Sequence, residues 1–332
     1  MKSGRVSYID TSAGLMILFM LYYHLVFFSR CSPLPAYLMS FFMPFFFYKS
    51  GMFFVSRPTR NLIEKDTAKF IKPFFIYSFV GWIIWSVCML LSGDSVIKCI
   101  RTPVESFIHI GNIKGNDPLW FLLCIFIVRE IFNFFVNKSA NVLVIAIVSY
   151  FIGFLLSCMG LQNYTWWFGN WFTGLCFFSL GYVLKNYDDK GISFLLAIFV
   201  ILLFGVGELF DIMQTPLLYT HANKMTRGNY LLYLPWALAC VVFTNNFFRY
   251  TERFFRYRIL DFIGTNALTI YVWHWVLFTV VIFLTKDVFG IESARIHWVI
   301  LAVSALTFLP LICYISKLNK KKTSEKRALM EV

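Results

Sequence analysis

Charge is scarce in this chain of 332 residues. Asp, Glu, Lys and Arg together make up 14% of it, against about 25% in a soluble domain. Polar stretches longer than a loop or tail are missing too, which excludes a separate soluble domain. The eight cysteines contain no Cys-x-x-Cys and are irregularly spaced, so no zinc or redox motif is written here. Cys88, Cys124, Cys176, Cys240 and Cys313 lie inside apolar runs, where a thiol acts as a small hydrophobe. Cys31, Cys99 and Cys158 lie near run ends. A disulfide among them stays open, although free thiols suit the spacing better.

Apolar residues fill the space that charge leaves. They make up 59% of the chain, with forty phenylalanines. A run of about 18 or more apolar residues crosses the hydrocarbon core of a bilayer, and such runs recur from end to end. The fold class expected is all-α: a polytopic membrane helix bundle of about ten transmembrane helices. The spans read as 12–29, 36–55, 71–92, 118–136, 141–158, 166–184, 192–210, 229–248, 265–285 and 297–316. They form one domain over 1–316, followed by a basic tail at 317–332. Ser29-Arg30-Cys31-Ser32-Pro33 is no small-x-small cleavage site, so the first run is read as a retained span rather than a signal peptide.

Lys and Arg set the orientation. With the N-terminus in the cytoplasm, 21 of the 30 basic residues fall on cytoplasmic segments and 8 on outer loops, with Lys49 inside a span. Both termini are then cytoplasmic. The net charge of +13 is mostly this topological signature, and nucleic acid is not expected as a partner. The tail "KLNKKKTSEKR" serves as an anchor that touches anionic lipid.

Polar side chains at membrane depth are costly and usually face the protein interior. Two histidines qualify. His24, in "LYYHLVFF", lies about 18 Å along the first helix from Ser12. His274, in "NALTIYVWHWVLF", lies near mid-depth of the ninth span. Each either ties two helices together or moves a proton near neutral pH.

The flanks of these histidines resemble the membrane acyltransferase family 3. "YIDTSAGLMILFMLYYHL" is similar to that family's first span, with Asp10, Gly14 and His24 at the matching spacing. "FFMPFFFYKSGMFF", "KFIKP", "PLWFL" and "IGTNALTIYVWH" resemble, in order, its second, third, fourth and penultimate spans. Two positions depart from the pattern. Ala13 stands where the family usually carries Arg or Lys, and Phe42 where many members carry a histidine.

The resemblance implies transfer of an acyl group, commonly acetyl, from cytosolic acyl-CoA to a hydroxyl of an envelope or lipid-linked saccharide in a bacterial cytoplasmic membrane. His24 would be general base or transient acyl carrier. No metal and no cofactor beyond the acyl-CoA donor are expected, and a homo-oligomer stays open. The segment 57–72 carries five basic residues. Lys69 and Lys72, three apart, are expected on one helix face, holding donor phosphates or serving topology alone. Asp10 lies about 21 Å from His24 along the helix, so it suits capping or donor contact. Trp120, Tyr271 and His274 are expected as substrate contacts, with packing as the plainer role of the two aromatics. Ser50-Gly51 reads as a close-packing pair and Asn266 as a helix cap. The connection 93–117 reads as a polar loop carrying Glu105, His109 and Asp117, and His221 and His297 receive no role. A transporter or flippase of lipid-linked glycan, and a catalytically inactive member assisting glycan assembly, stand as alternatives, the latter because of Ala13.

Overall fold

The computed structural model describes residues 7–32, 39–160, 169–185 and 191–330, with the backbone alone at 169 and 319–330. The described chain is 80% helical, an all-α polytopic bundle with one short β-hairpin. The helices are α1 (Ser7–Ser29), α2 (Phe42–Met52), α3 (Thr59–Asp66), α4 (Lys72–Leu91), α5 (Val96–Ile110), α6 (Trp120–Asn137), α7 (Val142–Cys158), α8 (Gly169–Leu184), α9 (Gly191–Leu209), α10 (Tyr230–Thr251), α11 (Arg258–Thr265), α12 (Ala267–Ile282) and α13 (Ala294–Met330). The strands β1 (Leu217–Tyr219) and β2 (Lys224–Arg227) pair antiparallel between α9 and α10.

Seven helical stretches are long and apolar enough to cross a bilayer: Ser7–Ser29, Thr59–Leu91, Asp117–Asn137, Gly191–Leu209, Tyr230–Thr251, Ala267–Val288 and Ala294–Leu318. The chain is thus a multi-pass membrane protein. Helices α2, α7 and α8 also coincide with expected spans, but they are shorter, at 11, 17 and 16 residues. At 1.5 Å per residue, α2 is about 16 Å long, roughly half the hydrocarbon thickness. It ends at Phe53 (φ −100°, ψ 13°), and an irregular stretch, Phe54–Pro58, leads to α3. The expected span starts at 36 and 166, and residues 186–190, lie outside the described residues.

Glycine sets two of the tightest helix crossings. A Cβ on Gly264 would sit 1.8 Å from the Asp10 carbonyl oxygen, and one on Gly14 would sit 2.1 Å from that of Leu260. Helix α11 therefore lies backbone to backbone against the start of α1. At the second crossing, a Cβ on Gly51 would meet the Phe178 oxygen at 1.9 Å and one on Gly181 the Tyr48 oxygen at 2.1 Å. This joins α2 to α8 and gives the Ser50-Gly51 pair its packing role.

Two connections differ from the sequence reading. Residues 93–117 are largely a helix, not a loop. Ser95 caps α5 by accepting from the Lys98 N–H (3.3 Å), and Gly111 ends it at φ +74°. One flank of α5 exposes Val96, Ile97, Ile100, Val104 and Ile108, while Lys98–Asp94 and Arg101–Glu105 pair along the helix. Residues 59–71 are helical as well and run into α4 through a π-helical turn, Thr67–Ile71. Arg129, counted among the basic residues of a cytoplasmic segment, is buried, with its Nε 2.5 Å from Asp66 Oδ2 of the segment 57–72. The eight cysteines, all among the described residues, are free thiols.

Candidate active site

The site forms where α1, α2, the start of α6, the hairpin and α12 converge. Burial of apolar faces orients these elements. Met20 and Leu21 of α1 and Ile270 and Val272 of α12 are core residues, which turns the intervening faces carrying His24 and His274 toward each other. His24 Nδ1 lies 2.8 Å from His274 Nε2. The ring planes are within 16° of parallel, with centroids 4.9 Å apart, the separation of two imidazoles joined edge to edge.

Carbonyl oxygens only accept, so the proton positions in this pair follow from its surroundings. His274 Nδ1 faces the Tyr271 oxygen at 2.8 Å and the Ile270 oxygen at 3.2 Å, and therefore carries a hydrogen. In the neutral ring Nε2 is then a bare acceptor. His24 Nδ1 must donate to it, which leaves His24 Nε2 with the free lone pair. His274 is fully buried, while His24 lines a cavity of about 60 Å³ with Tyr23, Phe42, Trp120, Tyr219, His221 and Tyr271. His24 thus keeps one basic nitrogen, with its tautomer set from behind, and is part of the cavity lining.

Tyr271 is anchored rather than free, because its hydroxyl donates to the Pro118 carbonyl. Trp120 begins α6 and its ring lies 6.2 Å from that of His221. Lys69 sits on the π-helical turn with its ammonium 4.9 Å from the centre of the Phe70 ring. It lines a second, apolar cavity that also touches Tyr271. Lys72 is exposed and outside this cavity. Lys69 lies on the π turn Thr67–Ile71 and Lys72 begins α4, so a turn of wider winding than an α-helix enters the spacing between them. Asp10 is remote from His24 and pairs with Lys49 at 3.7 Å. Asn266 does not cap α12 with its side chain. Its amide donates to the Phe262 oxygen (2.7 Å) and closes the end of α11.

The sequence reading missed His221. It rides the turn Thr220–Ala222 between the strands, and several bonds hold that turn. Its carbonyl accepts from Asn170 Nδ2 (3.0 Å). The next residue but one, Asn223 (φ +51°), donates to the Gly153 oxygen (2.7 Å) and accepts from Thr173 (2.7 Å) and Tyr230 (2.9 Å). Arg227 clamps β2 to Glu208 of α9. Burial lowers the pKa of His221, with the nearby Asp117 carboxylate opposing, so its ring is neutral near pH 7.

The two departures from the family pattern are both packed. Ala13 is fully buried in the core, and Phe42 lines the His24 cavity with its ring 5.9 Å from Tyr23.

Neither a curated protein nor a solved structure matches the chain. A family model described as an acyltransferase domain matches residues 6–315, a stretch that contains every element of the site. The chain belongs to membrane acyltransferase family 3, the acyltransferases whose spans its motifs resemble.

Proposed function

We propose that the protein transfers an acyl group, acetyl in the simplest case, from acyl-CoA in the cytoplasm to a hydroxyl of a cell-envelope or lipid-linked saccharide. The observation that carries this reading is the bond from His24 Nδ1 to His274, which leaves the Nε2 lone pair for base work on a residue that lines a ring-rich cavity. A hydroxyl is a weak nucleophile near pH 7 and needs such a base. Its proton passes to His24 Nε2 as the oxygen bonds to the thioester carbonyl carbon. The C–S bond then breaks, and the proton goes from Nε2 to the departing thiolate, so the imidazole ends as it began. The same lone pair serves equally if His24 first takes the acyl group itself.

Aromatic rings at the cavity, Trp120 and Tyr219 among them, suit a sugar face. Lys69 supplies a point charge for a donor phosphate, and Lys72 a weaker one from outside the cavity. We keep the expected spans 36–55, 141–158 and 166–184, of which α2, α7 and α8 are the described helical parts, as three further crossings, which gives ten and returns both termini to the cytoplasm of a bacterial inner membrane. A reporter fused behind α13 reads this side directly.

Ala13 supports a second reading, a family member that assists glycan assembly without acyl transfer. Purified protein given labelled acetyl-CoA and envelope glycan separates the two. Label on the glycan is the expected result. Label on neither protein nor glycan, in wild type and in Ala13→Arg alike, would move the assignment to the assisting or transporting role.

A further inference from the structure

Aromatic rings at the His24 cavity join in a closed loop. From His24 the contacts run through Tyr23 and Tyr219 to His221, with successive centroids 5.9, 5.9 and 5.8 Å apart. They return through Trp120, Phe121 and Tyr271 to His274, at 6.2, 6.1, 6.0 and 6.1 Å, and the histidine pair closes the loop. All but Phe121 and His274 line the cavity. Most polar groups of the loop are already engaged. The Tyr271 hydroxyl donates to the Pro118 carbonyl, the Tyr23 and Tyr219 side chains bond to each other, and His274 uses both ring nitrogens. Among the described residues, His24 Nε2, the Trp120 N–H and both nitrogens of His221 make no hydrogen bond. The indole N–H can only donate, so the two histidines alone in this set also carry a lone pair. Tyr219, the loop's exposed member at 37%, sits on the hairpin beside His221, so the hairpin lies on the side open to solvent.

We propose that His221 binds the acceptor, by a hydrogen bond to the saccharide hydroxyl neighbouring the one that His24 deprotonates. This inference rests on the acyl-transfer reading and refines its acceptor. The cavity of about 60 Å³ takes a few water-sized groups, at roughly 10–15 Å³ each. It therefore admits an edge of a sugar, one hydroxyl and its neighbours, rather than a whole ring. A hydroxyl both donates and accepts, and a neutral imidazole offers one N–H and one lone pair, so each can satisfy the other. Burial keeps His221 neutral against the opposing Asp117 carboxylate. The bonds of Asn170 and Asn223 fix the turn beneath the ring, as a contact that selects by position requires. A site built to hydrogen-bond a substrate hydroxyl rejects the analogue that lacks it.

The experiment measures transfer of label from acetyl-CoA to envelope glycan of the source strain, with glycan and donor varied separately, in wild type, His221→Phe and His221→Gln. Phe keeps a ring against Trp120 and Tyr219 and removes both nitrogens. His221→Phe is expected to raise the glycan KM by about tenfold. The donor KM and kcat should stay unchanged, as for a contact made equally in ground and transition states. Gln restores a donor and an acceptor and should recover most of the loss. His221→Leu replaces a Phe variant that cannot be purified, with the same shift expected. An unchanged glycan KM overturns the proposal and leaves acyl transfer standing. So does an equal rise in the donor KM, or a Gln variant no better than Phe. No transfer in wild type removes the underlying reading, and this contact with it.

Discussion

His24 Nδ1 and His274 Nε2 share one hydrogen bond of 2.8 Å, and the two carbonyls behind His274 decide which ring donates it. We take His274, buried behind His24 and outside the lining of its cavity, as a positioning residue for the base in front of it. His274→Phe should therefore lower kcat by roughly two orders of magnitude while leaving the donor KM unchanged. His274→Gln, whose amide oxygen can accept from His24 Nδ1, should recover part of the loss. Steady-state kinetics on the three proteins checks this. A parallel rise in KM would mean that His274 contacts the donor.

The Asp66–Arg129 pair joins the segment before the π turn to α6, with Asp66 fully buried. Arg129 also donates to Ser50 Oγ (3.3 Å) and lies over the Phe54 ring at 5.1 Å. Removing one member strands a buried charge, so Arg129→Met alone should cost about 3–5 kcal/mol, and Asp66→Leu with Arg129→Met much less. Unfolding in detergent measures both. Near-equal losses in the single and double variants would argue against a buried ion pair.

Gly264→Ala and Gly14→Ala should each disrupt the α1–α11 crossing, since the clashing atoms are backbone carbonyls that cannot rotate away. Gly205 in α9 has nothing within 4 Å of a built Cβ, and Gly205→Ala should be neutral or stabilise by up to about 1 kcal/mol. Yield of folded protein after solubilisation separates these cases.

Lys69 lines the apolar cavity and Lys72 does not. Lys69→Ala should raise the donor KM more than Lys72→Ala, by several-fold, as measured by acetyl-CoA titration of turnover. Equal effects would make the two lysines one electrostatic patch rather than a positioned contact and a bystander.

Much of this was legible in the sequence, for reasons tied to particular residues. An imidazole in the run around His24 stands out because membrane depth penalises it, and the same holds for His274. Their contact was not legible: the two lie 250 positions apart, and only the packing of α1 against α12 brings them together. His221 looked like loop because its strands are three and four residues long, and its place depends on Asn223 reaching α7, α8 and α10. Helix α5 did carry signals, a Ser95 cap, a Gly111 stop and apolar residues at helical spacing, but its charges read as loop. Lys69 and Lys72 were read at α-helical spacing, and the π turn that runs up to Lys72 carries no local signal in the sequence.

The central claim is that His24 is the base. The most direct test is transfer of label from acetyl-CoA to glycan by wild type, His24→Ala and His24→Gln, with a thermal melt of each. Both variants should lose transfer by at least about a hundredfold and melt within a few degrees of wild type, because the amide of Gln keeps hydrogen bonding but accepts no proton near pH 7. Full transfer by His24→Gln, together with a destabilised His24→Ala, would show instead that His24 only ties α1 to α12.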